Sequence, residues 1–294
     1  MSRPDVMAAS PARWNRIARS AGTLARQHPS LAVGAAILAL LALSAVAAPL
    51  LTGFDPIALN PVDRLKPPGA AHLFGTDMLG RDVYARTLYG GRTSLIVGCT
   101  AAVLTGIIGL AIGLVAGFNR FVDSILMRVM DGLMAIPGIL LAIALATILG
   151  GGIGTIVVAT TVPEVPVMAR LVRSLVLSIR EQLFIEAARA VGTKPAIIVI
   201  RHVLPNTLAP LLVQGTYVCG IAILVEAYLS FLGAGIPPEL PSWGNVMAEG
   251  RTFILIAPWV TLIPGIFVAA TVLALNLLGD TLRDLLDPRM GKRR

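Results

Sequence analysis

The sequence predicts an all-α integral membrane protein with six transmembrane helices. Composition gives the first reason. The 294 residues are 56% hydrophobic and only 14% charged, with mean hydropathy +0.82. A soluble domain carries about 25% charged residues. The second reason is that the charge is absent from a series of long runs. Each run is near the roughly 20 residues that a helix, rising about 1.5 Å per residue, needs to cross a core of about 30 Å. Polar segments rich in proline and glycine separate the runs, which is the third reason.

Residues 1–30 form a polar tail with five arginines, and residues 31–51 make a first span without charge. Ala45, Val46 and Ala47 have the small-residue pattern of a signal-peptidase site. The tail and apolar stretch are both long for a signal peptide, so an uncleaved first span is expected. Residues 52–92 form an extracytoplasmic segment lying along the outer interface. The second span is placed at 93–118, and a loop with Arg120, Asp123 and Arg128 leads to the third at 131–149. Gly150, Gly151, Gly152 and Gly154 make a turn into the fourth span, 153–171, where Pro163, Glu164 and Pro166 interrupt the helix. A basic loop, 180–206, precedes the fifth span at 207–232. An outer loop at 233–255, a sixth span at 256–278 and a charged tail at 280–294 complete the chain.

Six spans put both termini on one side. That side holds eighteen of the 24 Lys and Arg residues, and the opposite side holds six. The positive-inside rule places both tails and the 180–206 loop in the cytoplasm. The net charge of +8 is thereby explained by topology; nucleic acid is not expected as a partner. Cys99 and Cys219 lie in apolar runs, and with three scattered histidines they form no disulfide framework or metal motif. They are expected to be small buried apolar residues.

The basic loop is the most informative stretch. Residues 180–191 contain strong helix formers and no Gly or Pro, and Gly192 is the expected stop. A second helical run, 196–203, follows, and Pro205 ends it and opens the fifth span. Ala187 and Ala188 are small enough for a partner surface to come close, and the surrounding charges would orient that partner. On spacing alone an ordinary amphipathic loop fits as well.

The pattern Glu186-Ala187-Ala188, then Gly192, then His202-Val203-Leu204-Pro205-Asn206 resembles the EAA loop of ABC-importer permeases. His202, where the wider family has Ile, is similar to the dipeptide, oligopeptide and nickel branch. Further segments resemble that branch in order: Phe74 to Val83 with Tyr89 to Leu95, Glu226 to Gly233, Ser242-Trp243-Gly244, and Leu278 to Arg289. The resemblance covers roughly residues 30–290. It implies the type I importer permease fold with a cytoplasmic coupling helix, as the second permease of a heterodimeric pair in a bacterial inner membrane. One or two cytoplasmic ATPase subunits would hold ATP and Mg, and an extracytoplasmic binding protein would deliver peptides or related small solutes. Carried over by position, Glu186, Ala187, Ala188 and Gly192 dock the ATPase, flanked by Arg189 and Lys194, with His202 and Pro205 closing the motif.

No G-x-x-x-x-G-K-[ST] phosphate loop or catalytic cluster occurs, so the chain is not expected to be an enzyme by itself and carries no cofactor. Glu164 and Glu226 are acids within spans, where charge is costly and usually faces a cavity or partner. Glu164 either lines the solute path or bonds a freed backbone group. Glu226 is placed near the outer end of its span, as part of a gate or, better, as a capping or packing residue. Asn276 is expected to bond between helices. An ion-coupled secondary transporter would use the same acids. It would often show inverted repeats, and none is visible.

Overall fold

The computed structural model describes residues 28–286. Most of the predicted N-terminal tail and the end of the C-terminal tail lie outside the described residues. The first span is α1, Pro29–Val46, continued after a break at Ala47 by the short α2, Ala48–Leu51. The long helix α3, Val83–Phe118, follows. It starts ten residues before the predicted span because two arginines inside it are neutralised locally. Arg86 is buried against Glu249, and Arg92 donates to the Ala45 and Val46 carbonyls at the end of α1. Asp82 caps this helix, accepting from the Ala85 N–H at 2.7 Å.

The predicted third span is corrected. The charged stretch after α3 is not a loop but helix α4, Arg120–Met134, capped by the Asn119 side chain. Pro137 then interrupts the chain before α5, Gly138–Leu149, and the two helices meet at 88°. The two acids of α4 turn toward α6, Ile153–Arg180, where Asp123 pairs with Arg173 and Asp131 with Arg170. The expected interruption of the fourth span is also absent: α6 runs unbroken through Pro163 and Pro166. Packing against α3 and α5 supplies tertiary contacts that override the local cost of proline.

The chain continues through α7, Leu183–Ala190, α8, Pro195–Ile198, a π-turn at Val199–Val203, and α9, Leu204–Phe231. Outside the spans lie α10, Trp243–Gly250, and finally α11, Trp259–Leu286, which passes back through the membrane. Among the described residues, five stretches are long and apolar enough to span, and six if the bent pair α4–α5 is counted as one span.

The tightest helix pair is α3 with α6. Gly109, Gly113 and Gly117 form a bare stripe at four-residue spacing, into which Met168, Val172 and Val176 fit. A Cβ on Gly113 would lie 2.5 Å from the Val172 Cβ and 2.7 Å from the Ala169 carbonyl oxygen. Such small-residue stripes are what let helices approach when lipid supplies no hydrophobic drive.

The segment 52–82 is held by ions and hydrogen bonds. Arg81 lies between Asp77 and Glu249, and His72 Nδ1 lies 2.8 Å from Asp82. Burial pushes the Glu249 carboxyl above its usual range, against the opposing pull of Arg86 and Arg81. Asp63 is held below its usual range chiefly by a hydrogen bond from Lys66, with His72 adding to it.

Candidate functional site at the end of the bundle

The predicted 180–206 loop folds as two short helices and a wide turn, locked to the bundle. Glu186 sits in the first turn of α7 and Arg189 in the last, each favourably placed for the helix dipole. The helix ends in a Schellman motif. The Thr193 N–H bonds the Ala188 carbonyl at 3.0 Å, and the Gly192 N–H bonds Arg189 at 2.9 Å. Gly192 reaches φ +80°, a conformation that glycine adopts without a Cβ penalty.

Lys194 then opens α8, its carbonyl accepting from the Ile197 and Ile198 N–H groups. Pro205 does not end the second run as expected; helix continues from α8 into α9. Proline has no N–H for the Arg201 carbonyl, and its ring would crowd that group in a regular helix. The π-turn absorbs the misfit by widening the helix just before it, with the Leu204 N–H reaching back to Val199.

Ile185, Ile198 and Val203 are buried with Val172 and Val176, so both short helices share a core with α6. His202 belongs to this clamp: its ring lies 5.9 Å from that of Phe184, joining α7 to the π-turn. Arg180 donates to the Gly117 carbonyl and lies over the Phe118 ring, fastening the root of the loop to the end of α3.

The outer face of the hairpin shows Glu186, Ala187, Arg189, Gly192 and Lys194. Ala188 does not join them; it is half-buried and packs on the shared core. Two residues that sequence reasoning missed do join them: Leu183 is 81% exposed and Val191 83%. Both apolar side chains stand at the exposed end of a charged loop. They had no periodic signal, because they sit at the two ends of a helix of only eight residues. A cleft of about 370 Å³ beside α7 is lined by Arg180, Glu181, Glu186 and Arg189, mixing both signs of charge.

The remaining candidates are apart from this face. Glu164 is half-buried on α6, just past Pro163. Glu226 is fully buried. It accepts from Ser94 at 2.9 Å, Ser230 at 3.0 Å and Ser242 at 2.7 Å, joining α3, α9 and the start of α10. The Trp243 N–H in turn donates to Ser94, and the Asn245 N–H to Ser242. Asn276, on α11, lines a groove beside Tyr217. Cys219 is buried, but Cys99 lies exposed on α3 rather than in the core.

Residues 109–292 match the family model described as the binding-protein-dependent transport system inner membrane component. A probable peptide ABC transporter permease protein of Sinorhizobium fredii is 53% identical, over 92% of this chain and 93% of its own. The dipeptide transport system permease protein DppC of Alkalihalophilus pseudofirmus is 46% identical, over 88% and 85%. The oligopeptide transport system permease protein OppC of Bacillus subtilis is 38% identical, over 91% and 88%. Among solved structures, a chain of the inward-facing MetNI methionine ABC transporter shares the fold, with a TM-score of 0.56 and 22% identity, covering 67% of this chain and 94% of that one.

Proposed function

Because the chain belongs to the binding-protein-dependent transport system inner membrane components, as a non-catalytic, multi-pass permease subunit, we propose that it couples ATP hydrolysis by a cytoplasmic partner to the import of peptides. In this reading the chain pairs with a second, similar permease in a bacterial inner membrane, with both termini in the cytoplasm. An extracytoplasmic binding protein delivers the solute, and ATP and Mg are held by the ATPase subunits. The names of the related permeases favour peptides as the solute class.

One observation carries the reading: a short helix with exposed Leu183 and Val191 is rigidly joined to the span core. Leu183, Ala187 and Val191 supply apolar contact to the ATPase groove, and Glu186, Arg189 and Lys194 orient it. Ile185, Ile198 and Val203 are buried with Val172 and Val176 in one apolar cluster. A displacement of α7 is therefore passed to α6 and α9 rather than absorbed locally. Closure of the ATPase pair would bias the spans between outward-open and inward-open packings.

The test uses Glu186→Lys and Gly192→Pro in the assembled complex. Lysine reverses a charge on the docking face, and proline cannot adopt φ +80°. Both variants should insert normally but lose co-purifying ATPase and peptide uptake. Retention of assembly and uptake in both would refute the docking role.

A further inference from the structure

Helix α9 borders two grooves, one almost wholly apolar and one that sets several polar groups among mainly apolar walls. On one side, a cavity of about 530 Å³ between α3 and α9 is walled by Val103, Ile107, Leu208 and Leu212 and is almost wholly apolar. On the other side, two adjoining cavities of about 490 and 440 Å³ share Tyr217. Their polar groups fall on matching faces of two helices. Gln214 and Tyr217 are three residues apart on α9, while Asn276, Asp280 and Arg283 follow at i, i+4 and i+7 on α11. The Tyr217 hydroxyl donates to Asp280, closing the row across the groove. Gly279 permits this approach: a Cβ there would collide with Thr216 Oγ1 and lie 3.3 Å from the Tyr217 ring.

From Asn276 to Arg283 the row climbs about 10 Å along α11, from within the span to its charged end. Five polar groups in succession would be expensive against acyl chains, whereas the apolar side of α9 suits them. A row of this kind is stable when it faces water. Its inner end also presents an acid and a base one turn apart, which matches the paired ammonium and carboxylate of a small zwitterion.

We propose that Gln214, Tyr217, Asn276, Asp280 and Arg283 form a water-filled lane along which a zwitterionic short peptide passes to the cytoplasm. Asp280 faces its ammonium group and Arg283 its carboxylate. The inference rests on the importer reading above, and it assigns the solute route to the α9–α11 face.

The experiment places single cysteines at Gln214, Tyr217, Asn276 and Arg283, and at Leu212 as the apolar control, in a Cys99→Ala, Cys219→Ala background. Each assembled complex is reconstituted in vesicles, checked for trialanine import, and treated with a charged thiosulfonate from the cytoplasmic side. Four lane positions keep the test informative if one variant does not fold. Lane cysteines should react at least about tenfold faster than Leu212→Cys, because the thiolate is the reacting species and apolar surroundings suppress it. Trialanine during turnover should slow the lane reactions and leave the control unchanged. Lane cysteines as inert as the control, in a complex that still imports trialanine, would overturn the lane and leave the importer reading standing. Reactive cysteines in a complex that imports trialanine yet is not protected by it would overturn the peptide as the lane's occupant.

Discussion

Gly113→Ala probes the contact on which the helix packing depends. The new methyl carbon would lie 2.5 Å from the Val172 Cβ and 2.7 Å from the Ala169 carbonyl oxygen. Carbon atoms pack best at about 3.5–4.0 Å, so about 1 Å must be found. A backbone carbonyl cannot rotate away, and the β-branched Val172 has little rotamer freedom, so α3 and α6 must separate. Overpacking of this kind costs about 1–3 kcal/mol. Alanine also recovers about 1 kcal/mol of helix propensity over glycine, which masks part of the loss. Gly215→Ala on α9 removes that ambiguity, because nothing lies within 4 Å of its Cβ position. The propensity gain is common to both variants, so Gly113→Ala should be less stable than Gly215→Ala by the overpacking cost, about 1–3 kcal/mol. Denaturant titration of the purified chain in mixed micelles, followed by tryptophan fluorescence, reads the difference. Equal midpoints for the two variants would refute the close-packed stripe.

Two further outcomes test other parts of the structure. Glu226→Leu should strip three buried hydroxyls of their acceptor, at about 1–3 kcal/mol for each left unsatisfied, whereas Glu226→Gln keeps one acceptor oxygen and loses less. Hydrogen exchange of the α10 amides should rank the chains as wild type, Gln, then Leu from most to least protected; indistinguishable protection would count against the knot. Asp63 is held below its ordinary pKa, so its ionised form favours the folded outer segment. That contribution is present at neutral pH and disappears as pH falls through the folded value. Protease resistance of the 52–82 segment should show this acid-side loss in wild type and lack it in Asp63→Asn; an unchanged acid limb in the variant would assign the effect to another group.

The spans were legible wherever charge was absent, as in α1 and the middle of α3, because an apolar run of that length has few other uses. The sequence misled where charges had partners it could not display. Arg86 and Arg92 made the start of α3 look like a loop, yet Glu249 and the last carbonyls of α1 accommodate them. Asp123 and Asp131 disguised α4 in the same way, since their arginines lie 50 and 39 residues further on. Pro163, Pro166 and Pro205 suggested breaks that tertiary packing and a π-turn remove. In the 180–206 hairpin, Gly192 was readable because a left-handed cap has a strong residue preference. The exposure of Leu183 and Val191 and the inward turn of Ala188 depend on which side of an eight-residue helix meets the bundle, and composition does not encode that.

The central claim is that the 180–206 hairpin meets an ATPase inside the cell. Val191→Cys, labelled with a photoactivatable maleimide in the assembled complex, tests this directly. The account predicts a light-dependent covalent product with the ATPase subunit, and protection of the introduced thiol from impermeant reagents added outside the cell. Labelling from outside, or a complex that imports solute while yielding no such product, would contradict it.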